Sequence, residues 1–282
     1  MLDQLRRRAE LISAYAAKER DFELSVGEFL REGILKSPCT VLGRRFIEMI
    51  EDAGDHLKVK IHSVSTPLMW PKVVPLFDLY KVVTECFDEN NWHFYEIPET
   101  RVSAGDVVLD CGAAEGIFGL RVLDRAARLA LFEPLPVFGV SLRKTFESHP
   151  YVSVIPKALG SAPGTAYLTG GSLYGSVTSI PTQTPIGITT IDTWAAETQS
   201  KVDFIKGDLE GFESRVLSGA RETIKRFKPK IAITVYHDGN NWRDIVGFLS
   251  DLVPDYQYCV KGLSYNAKQA RPVMLHVWRG QS

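Results

Sequence analysis

The acids and glycines around residues 107–116 have a spacing that could bind a small cationic ligand. The apolar run Val107–Leu109 ends in Asp110, and a loop with glycines at Gly112 and Gly116 follows. Such a run is typical of a buried parallel strand, and glycines let the backbone turn tightly and approach a ligand. An acid at the strand end would repel a phosphate but suits a sulfonium or an amine, so S-adenosylmethionine fits better than a dinucleotide.

A second acid, Glu133, follows the next apolar run, Leu129–Phe132. It lies about 20 residues after the first glycine, where nucleotide-binding sheets hold the ribose hydroxyls with a carboxylate. The alternative explanation is a solvated strand end. Together the two acids predict a cofactor site at one edge of a sheet.

The elements that position these acids alternate between strands and helices from Trp92 onward. This alternation favours an α/β fold with a parallel sheet and crossover helices. A short strand is predicted at His93–Ile97, leading into the sheet. The stretch Thr169–Gly187 is rich in Gly, Ser, Thr and Pro, and predicts a mobile gate over the site.

Residues 1–92 are predicted to form a helical extension, separate from a catalytic domain at 93–282. Apolar residues recur at three- and four-residue steps in the first 16 residues, as on one face of an amphipathic helix. Further helices are predicted at Ser25–Leu35, Thr40–Asp52 and Leu76–Asp88. The extension could cap the catalytic domain, shape a pocket or form a homo-oligomer interface.

Composition excludes several classes of protein. The 282 residues carry a net charge of −1, which gives no basic surplus for nucleic-acid binding. The four cysteines are scattered and form no Cys-x-x-Cys pair, so neither a zinc site nor a disulfide framework is expected. Because we find neither a signal-peptide core nor an apolar run of about 18 residues, we expect a cytoplasmic protein without a membrane partner.

The segment Val202–Lys230 resembles the FkbM-type S-adenosylmethionine-dependent methyltransferases. The resemblance rests on Asp203–Glu213 with the sequence DFIKGDLEGFE, supported by Val108–Ala113, Ala158–Gly160 and Thr190–Thr193 in the expected order. It covers about residues 92–282 and implies the class I methyltransferase fold, which is Rossmann-like and doubly wound. Characterised members of the family mostly methylate hydroxyls of sugars and polyketides.

The resemblance also implies roles for the residues of the cofactor site. Asp110 and Gly112, with Ala113 and Glu115 in the same loop, are expected to line the methionine half of the cofactor. Glu133 is expected to hold the ribose. Lys157 and Ala158 lie where the adenine usually packs, although Lys157 could equally be solvated.

Three polar residues are expected at the acceptor side of the same edge. Asp208 and Glu210 follow the fourth core strand and could orient an acceptor, accept its proton or hold a divalent cation. Glu210 could instead only cap the next helix. His237 follows the fifth strand and is predicted to be the general base, neutral near pH 7. Otherwise it only hydrogen-bonds within its loop. No metal ligand is assigned.

The predicted function is methyl transfer from S-adenosylmethionine to a hydroxyl of a sugar or secondary metabolite, so the partner is a small-molecule or glycan acceptor. One alternative is a regulatory or structural protein that binds the cofactor without catalysis. Another is an NAD-linked oxidoreductase, which is disfavoured because Asp110 replaces the first glycine of that fingerprint.

Overall fold

The computed structural model describes residues 2–16, 20–169, 176–178, 184–239, 241–266 and 269–280. Within these ranges, every helix is too short or too polar to cross a lipid bilayer. The N-terminal part combines helices with an antiparallel sheet. In chain order its elements are α1 (Leu2–Ala16), α2 (Val26–Glu28), a π-helix (Phe29–Ile34), α3 (Cys39–Arg44), β1 (Ile47–Ala53), β2 (His56–Ile61), β3 (Leu68–Pro71) and α4 (Leu76–Phe87).

The prediction of a wholly helical extension is wrong, because the sheet β1-β2-β3 lies at its centre. The helix expected at Thr40–Asp52 ends at Arg44, and Ile47–Ala53 pairs with β2 instead. In β2, Val59 and Ile61 are buried between exposed lysines. This two-residue period is that of a strand with one face on a core.

Strands and helices alternate through much of the rest of the chain, as predicted, apart from consecutive strands after α6 and after α10. The elements are β4 (Asp106–Cys111), α5 (Ile117–Val122), β5 (Ala126–Phe132), α6 (Pro136–Thr145), β6 (Val152–Ile155), β7 (Ala158–Leu159), β8 (Gly164–Thr169), β9 (Ser176–Thr178), β10 (Pro185–Thr189), α7 (Ile191–Thr198), β11 (Phe204–Gly207), α8 (Glu213–Ser218), α9 (Arg221–Phe227), β12 (Lys230–Thr234), α10 (Trp242–Leu252), β13 (Tyr256–Lys261), β14 (Ser264–Asn266), β15 (Gln269–Arg271) and β16 (Met274–Arg279).

The central sheet has the strand order β6-β5-β4-β11-β12-β16-β13. Strand β16 is antiparallel to both neighbours, and the other paired strands run parallel. The order reverses between β4 and β11, and ligands of doubly wound sheets bind at such a switch point, beyond the carboxyl ends of the strands. The predicted fold class, α/β with a doubly wound and mostly parallel sheet, is confirmed.

Helices cover both faces of this sheet, which is why its strands are apolar on both sides. On one face, Trp70 and Leu79 from the N-terminal part lie in the same buried cluster as Val108 and Leu129. On the other, residues of α7 to α10 pack together with Leu11 of α1. The N-terminal part therefore shares its core with the sheet, and a domain boundary near residue 92 stays a prediction.

A smaller sheet with the order β7-β10-β8-β9 follows β6. The predicted gate, Thr169–Gly187, runs from the end of β8 through β9 into β10 of this sheet. Residues 170–175 and 179–183 of that stretch lie outside the described residues, so the gate stays a prediction.

The segment His93–Ile97 is an irregular loop rather than the predicted strand. Glu96 is 3% exposed, and its carboxylate accepts hydrogen bonds from Arg125 Nη1 at 2.7 Å and Arg121 Nε at 3.0 Å. Burial alone would raise the pKa of Glu96. The two arginines and the backbone N–H of Val102 outweigh that effect and lower the pKa below its usual value, so the carboxylate stays ionised. This ion pair anchors the loop and holds its neighbouring aromatic residues against the edge of the sheet.

Candidate active site

Glycines shape the loop after β4 and place it against the loop after β11. Gly112 and Gly116 have φ angles of 75° and 85°, a conformation that glycine adopts without strain. A Cβ at Gly112 would overlap the carbonyl oxygen of Asp208, and one at Gly116 would overlap Leu142. The glycine turn expected after β4 is present, Gly116 packs against Leu142 of α6, and the ends of β4 and β11 are in contact.

The carboxylate of Asp110 is fully buried at the end of β4, with 0% exposure. Its Oδ1 lies 2.9 Å from Lys206 Nζ. Oδ2 has no well-aligned hydrogen-bond donor in the described part of the chain, although the backbone N–H of Gly119 lies close enough to the carboxylate to lower its pKa. Burial raises the pKa of Asp110, although Lys206 opposes this shift. A buried acceptor atom without a partner beside a glycine loop fits a ligand that brings its own N–H or positive charge.

Glu133 follows β5 and reaches back into the same loop. Its carboxylate accepts hydrogen bonds from the backbone N–H groups of Ala114 at 2.9 Å and Leu135 at 2.8 Å. The side chain is 4% exposed, and burial raises its pKa to about 7 against the opposing effect of these hydrogen bonds. The acid is therefore held rigidly beside the Gly112 loop, as a residue that orients a ribose would be.

The other residues predicted for the cofactor differ in their surroundings. Glu115 is 8% exposed, and its pKa is raised to about 7, mainly by burial and further by Glu133. Ala113 is buried against α5. Ala158 is buried in the small cluster formed by β7, β8 and β10. Lys157 is exposed, as its alternative explanation expected.

Lys206 was missed by the sequence analysis. It lies within the apolar strand β11 and is only 5% exposed. Its Nζ donates a hydrogen bond of 2.6 Å to the carbonyl of Gly112, besides its ion pair with Asp110. Burial lowers the pKa of Lys206, but the Asp110 and Asp208 carboxylates raise it more, so the ammonium form persists. The available signal was a lysine inside an apolar strand, because buried lysines are almost always paired.

Asp208 lies directly after β11, and its backbone carbonyl lies against Gly112. Tyr95 donates a hydrogen bond of 2.8 Å from its hydroxyl to Asp208 Oδ2, and Thr234 donates one of 3.2 Å to Oδ1. Burial raises the pKa of Asp208, but His93, Lys206 and His237 together lower it below its usual value. Asp208 is therefore a fixed, ionised carboxylate.

Glu213, at the start of α8, holds the loop that carries Glu210. Its carboxylate has 0% exposure and accepts hydrogen bonds from the backbone N–H groups of Leu209 at 3.0 Å and Gly211 at 3.1 Å. Glu210 adopts a φ of 52°, and its side chain is 83% exposed. Glu213 thus stabilises the turn before α8, and Glu210, considered as a helix cap, has its carboxylate 3.2 Å from His237 Nε2.

His237 lies between these two glutamates. Its Nε2 is 3.2 Å from Glu210 Oε2, and its Nδ1 is 3.4 Å from Glu213 Oε1. Burial lowers the pKa of His237, but the glutamates and Asp208 raise it to about 10. The expectation of a histidine that is neutral near pH 7 is therefore wrong for the free protein, whereas its catalytic role stays a prediction.

One ring contact, one hydrogen bond and one lysine lie beside this cluster. The ring of Tyr236 lies against that of His237, with centroids 4.1 Å apart, and its hydroxyl is 3.1 Å from His93 Nε2. Lys81 of α4 has its pKa raised mainly by Glu85 and further by Asp208 and by acids near it. The contact between His93 and Tyr236 spans 143 positions of the chain, so no local pattern could have predicted it.

Comparison with solved structures finds methyltransferases with low sequence identity. A methyltransferase FkbM from Methylobacillus flagellatus is 24% identical with a TM-score of 0.49, covering 72% of this chain and 54% of that one. The chain thus spans about half the length of that protein. An rRNA methylase from Streptococcus thermophilus is 8% identical with a TM-score of 0.42, covering 64% of this chain and 90% of that one.

A putative methyltransferase from Streptococcus mutans, solved in complex with SAH, is 12% identical with a TM-score of 0.41, covering 63% of this chain and 90% of that one. No curated protein matches the sequence. The family model described as "Methyltransferase FkbM domain" matches residues 110–258, which is just over half of the chain and includes both sides of the site. The chain therefore belongs to the FkbM methyltransferase family.

Proposed function

We propose that this protein transfers a methyl group from S-adenosylmethionine to a hydroxyl group of a sugar or secondary metabolite. The observation that carries the proposal is the contact between the Gly112 loop and Asp208, which puts the cofactor-side acids beside the Asp208–His237 cluster. Methyl transfer is a displacement that needs donor and acceptor held in line, so adjacent donor and acceptor sites are its first requirement.

The residues of the donor side fit S-adenosylmethionine. The unpartnered Oδ2 of Asp110 can accept a hydrogen bond from the amino group, and the Glu133 carboxylate can accept from the ribose hydroxyls. When bound, the cofactor supplies an electrophilic methyl group on a positively charged sulfur. Lys206 offsets the charge of Asp110 and fixes the carbonyl of Gly112, so it positions the loop that holds the ligand.

The residues of the acceptor side can orient a hydroxyl and remove its proton. In neutral His237, Nδ1–H would donate to buried Glu213, which leaves the lone pair of Nε2 directed outward. Nε2 now faces the exposed carboxylate of Glu210, which an incoming hydroxyl can displace. The proton of that hydroxyl would then move to Nε2 as the oxygen attacks, while Asp208 accepts a hydrogen bond from the acceptor.

The proposal is tested by calorimetry with S-adenosylmethionine, followed by incubation with a panel of glycosides and hydroxylated secondary metabolites. We expect 1:1 cofactor binding and a product heavier by one methylene group, with the methyl located on oxygen by fragmentation. Tight cofactor binding without transfer to any hydroxyl, including at alkaline pH, would support the alternative of a non-catalytic binding protein. Transfer to nitrogen or carbon would contradict the hydroxyl acceptor.

Cofactor affinity is expected to rise with pH between 6 and 8. The pKa of Glu133 is about 7, so its carboxylate, which accepts from both ribose hydroxyls, is mostly protonated at pH 6 and mostly ionised at pH 8. We expect up to ~10-fold tighter binding over this range, and Glu133→Gln should abolish the change and weaken binding at pH 8 by about 1.5–3 kcal/mol. Calorimetry at several pH values measures both effects.

The matched control is Glu115→Gln, because Glu115 is also buried and its pKa is also about 7. If Glu133 is the ribose ligand, the affinity of the Glu115→Gln variant for the cofactor should still rise with pH. If the pH dependence survives in Glu133→Gln and disappears in Glu115→Gln, then Glu115 and not Glu133 controls cofactor binding, and the assignment is contradicted.

A further inference from the structure

Three potential metal ligands of different elements converge at the acceptor side. Asp208, Glu210 and His237 each offer one ligand atom, and these atoms all lie within 4.8 Å of one another. Two come from the loop after β11 and one from the loop after β12. The cluster combines an imidazole with two carboxylates, unlike an ordinary group of surface acids.

Two of these ligands, Asp208 and His237, are positioned by neighbours that are themselves buried. Tyr95 and Thr234 donate hydrogen bonds to Asp208, and Glu213 lies against Nδ1 of His237. Tyr95, Thr234 and Glu213 are 4%, 0% and 0% exposed. Metal sites depend on such neighbours, which fix the orientation and basicity of the ligands.

A second observation indicates an additional polar group beside the cluster. His93 is 8% exposed, and its Nδ1 is buried without a hydrogen-bond partner in the described part of the chain. Its Nε2 lies near the hydroxyl of Tyr236, whose ring packs on His237. A buried imidazole nitrogen is rarely left without a partner, so a water or ligand is expected there.

We propose that Asp208, Glu210 and His237 bind a divalent cation, Mn²⁺ or Mg²⁺. Carboxylates suit both of these hard cations, and a single imidazole ligand favours Mn²⁺ over Mg²⁺. Three protein ligands leave about three positions of an octahedral cation open. Building on the proposed function, those positions accept oxygens of the acceptor, which favours an acceptor with two neighbouring oxygens, such as a vicinal diol. With the cation bound, His237 is a ligand and not the general base, and a hydroxyl bound to the cation loses its proton more readily, to solvent water.

Mn²⁺ alone, without cofactor or acceptor, is the probe for this site. We titrate the full chain with Mn²⁺ by calorimetry and follow free Mn²⁺ by its paramagnetic resonance signal. One site is expected, and Asp208→Asn, Glu210→Gln and His237→Ala should each weaken binding by at least ~10-fold. Because Glu210 is 83% exposed, Glu210→Gln tests the site even where another variant fails to fold.

The matched controls are Glu197→Gln and His62→Ala, since both residues are exposed and lie outside the cluster. They should bind Mn²⁺ as the unaltered chain does. Absence of saturable binding at millimolar Mn²⁺, or equal binding by the cluster variants and the controls, would overturn the site. Methyl transfer in the presence of a chelator would then show that only the cation proposal fails. Saturable binding lost in the cluster variants supports the site even if no hydroxyl acceptor is methylated.

Discussion

Replacing Lys206 with methionine is expected to lower the free energy of unfolding by about 3–5 kcal/mol, as removal of one partner of a buried ion pair does. The substitution leaves the carboxylate of Asp110 buried without its cation, and it removes the hydrogen-bond donor to the carbonyl of Gly112. Urea unfolding followed by circular dichroism measures the loss.

Lys201→Met is the matched control, because the side chain of Lys201 is 56% exposed and pairs with Asp203 at the surface. That change should cost no more than about 1 kcal/mol. The double variant Lys206→Met/Asp110→Asn should recover part of the lost stability, since it also removes the unpaired negative charge of Asp110. Equal stability of the two single lysine variants would contradict a buried pair.

Replacing His237 with alanine is expected to lower turnover by at least ~10²-fold while cofactor affinity stays unchanged, because a positioned general base contributes about that much. The pKa of His237 is about 10 in the free protein, so only a small fraction is neutral at pH 7. In the presence of a chelator, turnover of the unaltered chain should therefore rise about tenfold per pH unit until the pH approaches the pKa of His237. Initial rates between pH 7 and 10 measure this limb.

Two variants test whether His237 causes this rise of turnover with pH. His237→Ala should lose it, whereas Glu210→Gln should move it toward neutral pH, because Glu210 helps to raise the pKa of His237. If His237→Ala hardly changes turnover while the chelator abolishes it, activation by a cation replaces the general base. If neither matters, proximity alone carries the reaction and no base is needed.

The fold and the positions of the two strand-end acids were largely predictable because they depend on local patterns. Apolar runs that end in acids identify parallel strands, and the carboxyl ends of parallel strands meet at one edge of the sheet. Asp110 and Glu133 were found in this way, and the motif after β11 indicated the family that the profile match confirms.

The errors concern contacts between distant parts of the chain. The helix predicted at Thr40–Asp52 is partly a strand because β1 pairs with β2, and this pairing outweighs the local periodicity. Tyr95 reaches Asp208 across 113 positions, and Lys206 reaches Gly112 across 94. The high pKa of His237 likewise depends on Glu213, whose orientation comes from the turn that it caps. A single sequence contains no direct signal for such pairs.

The contact between the Gly112 loop and Asp208 means that ligands bound at these two loops affect each other. The two backbones lie so close that a single methyl group does not fit between them, and Lys206 ties the same loop to β11. Neither loop can shift without displacing the other. A ligand that shifts the backbone of either loop must therefore change the affinity at the other loop by the same factor, so the two turns act as one coupled unit rather than as two independent sites.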